Sequence, residues 1–316
     1  PAGLRSKPRT RRVGAPFLAL LDMTRVAFIT CASHSALSAS KIAEDDLLAV
    51  KALAARDVEV VPWIWNGKAP SDIDLAVLRS PWDWTSNESA FDDFLASFET
   101  NGIPLENRNA RSWQDKIYLA KLGASGARTV PTLIVEQGGS FDRATEEVRA
   151  RGWNDLVMKP SIGAGGRRTV RFALDDAETQ RALAEEILST GALMIQPFLR
   201  EIVDHGEWSL IFFSAEYSHA LKKHPARDEF RVQDDFGGTV TPAVAPDDVI
   251  RGARKVLEAS GEEFLYARVD GLVSDALGGF TVTELEVVEP ELFFRTDASA
   301  PDRFARAVSK RLTAKS

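Results

Sequence analysis

The fold of this chain is decided by residues 266–291, which read YARVDGLVSDALGGFTVTELEVVEPE. The stretch predicts two strands joined by a short, glycine-containing connection. Because side chains alternate between the two faces of a strand, Arg268 and Asp270 share one face of the first strand. Glu284 and Glu286 share one face of the second strand for the same reason. If the strands pair, an arginine and three carboxylates meet on one surface.

Three carboxylates on one face need a compensating positive charge. Mg²⁺ is one source of that charge, because it prefers hard oxygen ligands and is often shared with the phosphates of a substrate. A solvated outer face of an antiparallel sheet would show the same alternation. Residues outside this stretch have to distinguish a metal site from an ordinary surface.

The composition excludes several classes of protein. The chain has 316 residues, of which 44% are hydrophobic and 27% are charged, as is ordinary for a globular chain. Its single cysteine, Cys31, cannot form an internal disulfide, which is typical of a reducing cytoplasm. The net charge of −7 argues against nucleic acid as a partner. No apolar run approaches the roughly 20 residues of a membrane helix. We therefore expect a cytoplasmic protein with neither a nucleic-acid nor a membrane partner.

Composition and periodicity divide the chain into four predicted segments. Residues 1–22 carry several basic side chains and are predicted to be a disordered extension. Residues 23–108 alternate strands with helices, which is typical of a parallel α/β domain with its ligand edge at the carboxyl ends of the strands. Residues 109–195 predict a central lobe, and long strands dominate the lobe at 196–316. The predicted fold class is therefore α/β, with two α+β lobes after the first domain.

The hydrophobic pattern also predicts individual elements. These include strands at 58–64, 133–135, 155–160, 207–214 and 218–223, helices at 41–56, 112–122 and 247–259, and a polar loop at 224–239.

A lysine and a glycine-rich loop follow one of these strands. Lys159 ends the strand at 155–160, and the next loop contains Gly163, Gly165 and Gly166. Glycine lets backbone N–H groups approach a phosphate closely. The loop leads into another strand, whereas a Walker A loop or a dinucleotide-binding turn leads into a helix. Many such hairpins are plain turns, but one entered by a lysine from a buried strand favours phosphate binding.

Further candidates for a nucleotide site follow this hairpin. Residues 196–199 (QPFL) end the next strand and could offer a backbone donor and acceptor to an adenine edge. Glu201 and Glu207 compete for the ribose hydroxyls. Of Lys222 and Lys223, strand alternation lets only one face the site. Upstream, RSPWDW at 79–84 lies at the predicted ligand edge, where its tryptophans could line a substrate pocket or pack under a loop.

Four of these motifs together resemble the ATP-grasp superfamily. They are MKPSIGAGG at 158–166, QPFL at 196–199, RVD at 268–270 and ELE at 284–286. The resemblance covers about 23–316. It implies the ATP-grasp fold, in which a small N-terminal parallel α/β domain is followed by two lobes that clasp ATP.

A narrower resemblance names a branch of that superfamily. Its motifs are LRSPWDW at 78–84, GEWSLIFF at 206–213, FRVQ at 230–233, FGG at 236–238 and EVVEP at 286–290. They are similar to the branch that contains the O-ureido-serine cyclo-ligase of cycloserine biosynthesis. This resemblance implies a role in the biosynthesis of an amino-acid-derived natural product.

The resemblance to the superfamily also implies roles for individual residues. The expected nucleotide contacts are Lys116, Lys159, Gly163, Gly165, Gly166, Gln196, Pro197, Phe198, Leu199, Glu201, Glu207 and Lys222. The expected ligands of Mg²⁺, as two ions for which Mn²⁺ can substitute, are Asp270, Glu284 and Glu286. Many members have asparagine where this chain has Glu286, and the extra anionic ligand should tighten metal binding. Arg231 and Arg268 are the candidates for contacting the acyl phosphate and the developing oxyanion.

The activity implied is that of an ADP-forming carbon–nitrogen ligase. Its partners would be a small-molecule carboxylate and an amine, and the chain would act as a monomer or a homodimer. Two alternatives remain open at this point. The chain could be a non-catalytic ATP-binding regulatory protein of the same fold, or a ligase that adds amino acids to a protein tail.

Overall fold

The computed structural model describes residues 23–314, which form three β-sheets with helices packed against them. The extension expected at residues 1–22 lies outside the described residues. The α/β class predicted from the alternation of strands and helices is confirmed. Within residues 23–314, no helix combines the length and the apolar character that a membrane crossing requires.

The first sheet is parallel and covers the start of the chain. Its elements are β1 (Thr24–Thr30), α1 (Asp46–Ala54), β2 (Val58–Ile64), β3 (Leu75–Ser80), α2 (Glu88–Ser97) and β4 (Leu105–Glu106). The strand order is β2-β1-β3-β4. β3 is buried along its whole length, as expected for a strand of a covered parallel sheet. The helix predicted from residue 41 begins only at Asp46, because residues 37 and 43 form a short antiparallel bridge before it.

The second sheet is antiparallel and carries the glycine-rich loop. Its elements are α3 (Tyr118–Ala124), β5 (Leu133–Val135), α4 (Phe141–Ala150), β6 (Asp155–Pro160), β7 (Val170–Ala173), α5 (Arg181–Thr190) and β8 (Leu193–Pro197). The strand order is β5-β8-β6-β7. Leu156 and Met158 of β6 belong to the core beneath α4 and α5. The helix predicted at 112–122 starts six residues late at Tyr118, so Lys116 precedes it.

The third sheet is antiparallel and has five strands. Its elements are α6 (Glu201–His205), β9 (Glu207–Phe213), β10 (Glu216–His224), β11 (Thr239–Ala243), α7 (Asp247–Ser260), β12 (Tyr266–Ser274), β13 (Gly279–Glu286) and α8 (Ala300–Thr313). The strand order is β11-β10-β9-β12-β13. The strand pair predicted at 266–291 is confirmed by β12 and β13, which place Arg268 opposite Glu286 and Asp270 opposite Glu284.

Side-chain hydrogen bonds join the first sheet to the third. Asn107, just after β4, donates to the backbone carbonyls of Tyr266 (2.9 Å) and Val287 (2.7 Å) and accepts from the amide of Leu265 (2.8 Å). Three buried backbone groups of the third sheet therefore depend on one side chain of the first segment. These contacts place the first sheet directly beside β12 and the end of β13, where the predicted acidic residues lie.

Candidate active site

A cleft of about 1000 Å³ is lined by residues from all three sheets. Fifteen of the seventeen predicted site residues line it, and Glu201 and Lys222 do not. The cleft therefore collects side chains that are far apart in the sequence.

Lys159 lies in this cleft without an anionic partner. On β6 it alternates with the core residues Leu156 and Met158, so its side chain is on the opposite face. Among the described residues, no carboxylate lies within ion-pair distance of its ammonium group. Burial, together with the positive charge of Lys116, lowers the pKa of Lys159 below its ordinary value. A half-buried cation with no partner is the group expected where an anion such as a phosphate binds.

Lys116 holds the base of the glycine-rich loop. Its backbone amide donates to the carbonyl of Ser161 (2.8 Å), and its ammonium group donates to the carbonyl of Gly163. The ammonium group also lies 3.2 Å from a carboxylate oxygen of Glu284. Burial lowers the pKa of Lys116, but its hydrogen bond to Glu284 and the charges of the nearby glutamates together outweigh burial and raise the pKa. Lys116 thus connects the loop to the acidic strand pair.

The glycine-rich loop folds as two successive turns. Gly165 and Gly166 both have positive φ, of 64° and 66°, a conformation that glycine adopts without steric cost. A Cβ atom on Gly166 would lie 3.0 Å from Gln233 Oε1 and 3.2 Å from the ring of Phe236. The loop therefore approaches the 230–236 segment so closely that a side chain at position 166 would require Gln233 or Phe236 to shift.

The segment 196–199 leaves one backbone donor for a ligand. Phe198 donates its amide to the carbonyl of Asp155 (2.8 Å), and Pro197 has no N–H group. Leu199 follows the end of β8, and its amide has no backbone acceptor in the described chain. The ring of Phe198 is covered on one side by Arg171, whose guanidinium carbon lies 3.6 Å from the ring centroid. The amide of Leu199 is thus the donor available for an adenine edge.

The structure places Glu207 and Lys223 in the cleft. The alternatives to them, Glu201 and Lys222, lie outside it. Lys223 Nζ lies 2.8 Å from Glu207 Oε2 and 3.0 Å from Asp270 Oδ2, and all three side chains are buried. Lys222 points to the other face of β10, where its ammonium group donates to the carbonyl of His205 (2.7 Å). Glu201 lines the same small pocket as Lys222. Strand alternation explains the correction for Lys222, since neighbours on a strand face opposite ways.

Asp270 is fully engaged by its neighbours. Its carboxylate accepts hydrogen bonds from Ser209, Lys223 (3.0 Å) and Arg268 (2.9 Å). Burial opposes its ionisation, but Arg268 and Lys223 overcome this effect and lower the pKa of Asp270 to about 2. Only 3% of its side chain is exposed.

Glu284 and Glu286 are more open to the cleft than Asp270. Both side chains are 28% exposed, and their basic partners are Lys116 and Arg268. Burial raises the pKa of Glu286 to about 8, and the charges of Glu284 and Asp270 add to this effect against that of Arg268. Arg268 therefore does not offset both the burial of Glu286 and the charges beside it, so Asp270, Glu284 and Glu286 form an acidic wall of the cleft that a further cation would stabilise.

The donor chemistry of this wall suits a divalent cation. Within residues 23–314, no group of three or more acidic, histidine or cysteine side chains is already arranged around a metal position. The reason is that Lys116, Lys223 and Arg268 each contact one or more of the three carboxylates. The hard oxygens of Glu284 and Glu286 nevertheless line the same cleft as Lys159. The residues present therefore fit a magnesium-type ion held first by these two glutamates.

The two candidate arginines are held by carboxylates. Arg268 also donates to the backbone carbonyl of Glu291 (3.1 Å) and so spans the acidic wall. Arg231 donates to both oxygens of Glu229, at 3.1 Å and 2.7 Å, and its guanidinium carbon lies 3.5 Å from the ring centroid of Phe236. Hydrogen bonding from Arg231 lowers the pKa of Glu229 to about 2. Arg231 therefore lies on the segment that meets the glycine loop.

The structure adds residues that sequence analysis did not include in the site. The RSPWDW motif contacts the segment just after β13: Arg79 donates to the carbonyl of Pro290 (3.1 Å) and Trp82 to that of Glu289 (3.2 Å). Trp84 donates to the carboxylate of Glu289 (2.6 Å). Glu289 lines the cleft. The tryptophans gave a signal in the sequence, but their partner lies about 200 residues away in the chain.

Comparison with known proteins agrees with this architecture. Residues 26–107 match the family of the N-terminal domain of D-cycloserine synthetase DcsG. The cycloserine biosynthesis protein DcsG of Streptomyces lavendulae is 28% identical over 279 residues, covering 80% of this chain and 88% of that protein.

Solved structures extend the likeness to the whole described fold. The crystal structure of D-cycloserine synthetase DcsG matches with a TM-score of 0.82 and 26% identity, covering 91% of this chain and 99% of that one. D-alanine–D-alanine ligase from Bacillus anthracis matches with a TM-score of 0.66 and 18% identity, over 92% and 98% of the two chains. The second likeness concerns the fold alone. The chain is therefore an ATP-grasp enzyme of the carbon–nitrogen ligase class, near the branch of D-cycloserine synthetase DcsG.

Proposed function

We propose that the chain uses ATP and Mg²⁺ to activate the carboxylate of a small amino-acid-like molecule, which an amine-type nitrogen of the same or a second molecule then attacks. The observation that carries the proposal is the unpartnered Lys159 beneath a glycine loop, facing a wall of carboxylates across one cleft. Anionic phosphates bridging the two walls would pair with the lysine and share a cation with the glutamates.

The nucleotide-binding residues and the acidic residues of the cleft have distinct parts in the proposed reaction. Lys159, Lys116 and the amides of the glycine loop bind the phosphates of ATP, while the amide of Leu199 contacts the adenine edge and Glu207 the ribose. Glu284, Glu286 and Asp270 hold Mg²⁺, as two ions for which Mn²⁺ can substitute. When bound, the metal neutralises charge on the phosphates. Asp270 could bind the metal only if Lys223 or Arg268 moved away from its carboxylate.

The chemical step needs no nucleophile from the protein. A carboxylate oxygen of the substrate attacks the γ-phosphorus, the bond to the bridging oxygen breaks, and ADP leaves. The nitrogen then attacks the acyl carbon, loses a proton, and inorganic phosphate leaves. Arg268 and Arg231 are placed in the proposal as the cations that stabilise the negative charge developing on oxygen. The glycine loop excludes water, which would otherwise hydrolyse the acyl phosphate.

The proposed function is tested by measuring nucleotide products. The purified chain is incubated with Mg²⁺–ATP and a panel of amino acids with their ureido and hydroxylamine derivatives, beginning with O-ureidoserine. We expect ADP and phosphate to appear in a substrate-dependent way. Release of AMP and pyrophosphate would contradict the proposal, and tight ATP binding without ADP across the panel would favour a regulatory protein.

A single replacement tests the acidic wall. Glu284→Ala removes a proposed metal ligand and the partner of Lys116, so we expect turnover to fall by at least about 100-fold while the folded structure is retained. Circular dichroism checks the fold, and Glu258→Ala on α7 is the matched control. Near wild-type turnover of Glu284→Ala would mean that the metal assignment is wrong.

A cytoplasmic location and a monomeric or homodimeric state are also parts of this proposal, and size-exclusion chromatography tests the oligomeric state.

A further inference from the structure

Glu289 differs from the other carboxylates on its wall because it has no basic partner. Glu284 pairs with Lys116, Glu286 with Arg268, and Glu291 with Arg295. Among the described residues, no lysine, arginine or histidine lies within ion-pair distance of Glu289. Lys116 and Arg268 act on Glu289 only from beyond ion-pair distance, so the cleft contains a carboxylate with no direct cationic contact.

The first sheet holds Glu289 in a fixed position. Trp84 donates its indole N–H to one carboxylate oxygen (2.6 Å), and Trp82 donates to the backbone carbonyl of the same residue (3.2 Å). Trp84 is only 3% exposed and stacks on Phe91, which fixes the indole in turn. The second carboxylate oxygen has no hydrogen-bond partner in the described chain and is not sealed off from the cleft. One oxygen is thus oriented and the other is free to accept.

The surroundings favour a small cation as the missing partner. Burial raises the pKa of Glu289 above its ordinary value, which is the cost that a bound cation would remove. The ring of Trp82 also lines this part of the cleft, packed against His34 with 4.7 Å between the ring centroids. Aromatic faces beside a carboxylate are suited to an organic ammonium group.

The distance from the acidic strand pair suits an amino acid. Glu289 lies three residues after Glu286, so an extended backbone separates their Cα atoms by at most about 10 Å. A molecule with a carboxylate at one end and an ammonium group two bonds away fits within such a span. The carboxylate would lie toward Glu284 and Glu286, and the ammonium group toward Glu289.

We propose that Glu289, oriented by Trp84, binds the protonated α-amino group of the substrate whose carboxylate is activated. This inference rests on the proposed function and names its substrate class: an α-amino acid that enters with its α-nitrogen free. A protonated amine has no lone pair, so this contact also keeps the α-nitrogen from attacking the activated carbonyl of another molecule. The nitrogen that forms the new bond therefore comes from elsewhere in the substrate or from a second molecule.

The test compares each acid with its counterpart lacking the α-amino group. Serine, alanine and O-ureidoserine, in both enantiomers, are assayed for ADP release beside 3-hydroxypropionate, propionate and 3-(ureidooxy)propionate. We expect the wild-type chain to prefer one amino-bearing acid. In Glu289→Gln, kcat/KM for that acid should fall by about 10- to 100-fold, mainly through KM, because a charged hydrogen bond is lost. Its activity on the matching des-amino acid and its KM for ATP should stay within about twofold.

Two further variants separate recognition from folding. Trp84→Phe keeps the ring but removes the donor that orients Glu289, so we expect a several-fold rise in KM for the amino acid alone. Glu289→Asp keeps the charge on a shorter side chain and should recover part of the loss. Glu147→Gln on α4, which removes an exposed carboxylate distant from the cleft, is the control and should behave as wild type.

The outcomes distinguish this inference from the function on which it rests. If Glu289→Gln discriminates between the two acids as strongly as wild type does, the ammonium site is wrong and the ligase function stands. A rise in KM for ATP of the same size as that for the acid would place Glu289 with the nucleotide and overturn the inference. If the wild-type chain releases no ADP with any acid, the proposed function fails, and the ammonium site fails with it.

Discussion

Lys159 is a residue whose placement opposes stability. Its ammonium group is half-buried without an anionic partner in the described chain, and its pKa is lowered mainly by desolvation. A lysine whose pKa is lower in the folded than in the unfolded state destabilises the fold at every pH where it is charged. Such a residue is consistent with selection for binding an anion rather than for folding.

Replacing Lys159 should therefore separate stability from binding. Lys159→Met keeps the length of the side chain and removes the charge. We expect the free energy of unfolding of the ATP-free protein to rise by about 0.5–2 kcal/mol, the usual range for relieving a functional strain. Urea denaturation near neutral pH measures this change.

Binding should respond in the opposite direction. We expect Lys159→Met to lose Mg²⁺–ATP binding by titration calorimetry, whereas Lys121→Met, on the exposed face of α3, should bind normally. Loss of stability would contradict the cost assigned to the charge of Lys159, and ATP binding as tight as that of wild type would show that Lys159 does not contact the phosphates.

The sequence predicted most of the residues that line the cleft, but of two neighbouring candidates such as Lys222 and Lys223 it did not always identify the one that does. The pleat of a strand requires that Lys222 and Lys223 face opposite ways, yet it does not say which face meets a cleft. That choice depends on β9 and β12, which present Glu207 and Asp270 to Lys223. The orientation of Glu289 could not be predicted for a similar reason, since it lies beyond the strand and is set by Trp84.

At the scale of elements, the sequence pattern predicted three strands with their observed bounds. The predicted bounds 58–64, 133–135 and 155–160 are those of β2, β5 and β6. The edge strand β11 was not predicted, because its sequence TVTPA is mostly exposed and contains Pro242. An edge strand tolerates proline and needs no apolar face, so it leaves little trace in the hydrophobic pattern.

The glycine loop provides a test at this scale with an internal control. Gly165 and Gly166 have nearly equal positive φ, so an alanine costs similar backbone strain at each. Only at Gly166 would the new Cβ meet Gln233 and Phe236, whereas nothing lies within 4 Å at Gly165. We expect both variants to lose about 1 kcal/mol of stability from the strain.

Turnover should then distinguish the two alanine variants. If the loop must approach the 230–236 segment during the reaction, Gly166→Ala should lower kcat for ADP release by about tenfold or more relative to Gly165→Ala. Steady-state kinetics at saturating ATP measure the difference. Equal kcat values for the two variants would mean that this approach has no part in turnover.

At the scale of the whole molecule, a few buried polar contacts join the first sheet to the segment just after β13. Arg79 bonds both Asp46 (2.9 Å) and the carbonyl of Pro290, and Tyr266 donates its hydroxyl to the carbonyls of Leu78 and Val288. These partners are up to 211 residues apart in the chain. Local patterns cannot reveal such pairs, which explains why the sequence indicated each sheet but not how they dock.

The Arg79–Asp46 pair gives this docking a pH dependence that can be measured. Both side chains are almost fully buried, and one polar atom of each lacks a hydrogen-bond partner in the described chain. Burial raises the pKa of Asp46 even beside Arg79. Arg79→Met would leave Asp46 buried without a cation, so we expect the free energy of unfolding to fall by about 3–5 kcal/mol near pH 7.

The sign of the pH effect follows from proton binding. Above the unfolded-state pKa of about 3.9, the unfolded chain of Arg79→Met has lost the Asp46 proton while the folded state retains it. The stability of Arg79→Met should thus fall as pH rises from about 4, by up to about 1.4 kcal/mol per pH unit, and over a wider pH range than that of wild type, in which Arg79 holds the pKa of Asp46 lower. Urea denaturation between pH 4 and 7 measures the slope, and adding Asp46→Asn should remove this slope.

The control is Arg306→Met, which breaks an exposed pair with Asp302 and should lower the free energy of unfolding by no more than about 1 kcal/mol. A pH-independent loss in Arg79→Met would show instead that the bond to Pro290 carries the docking.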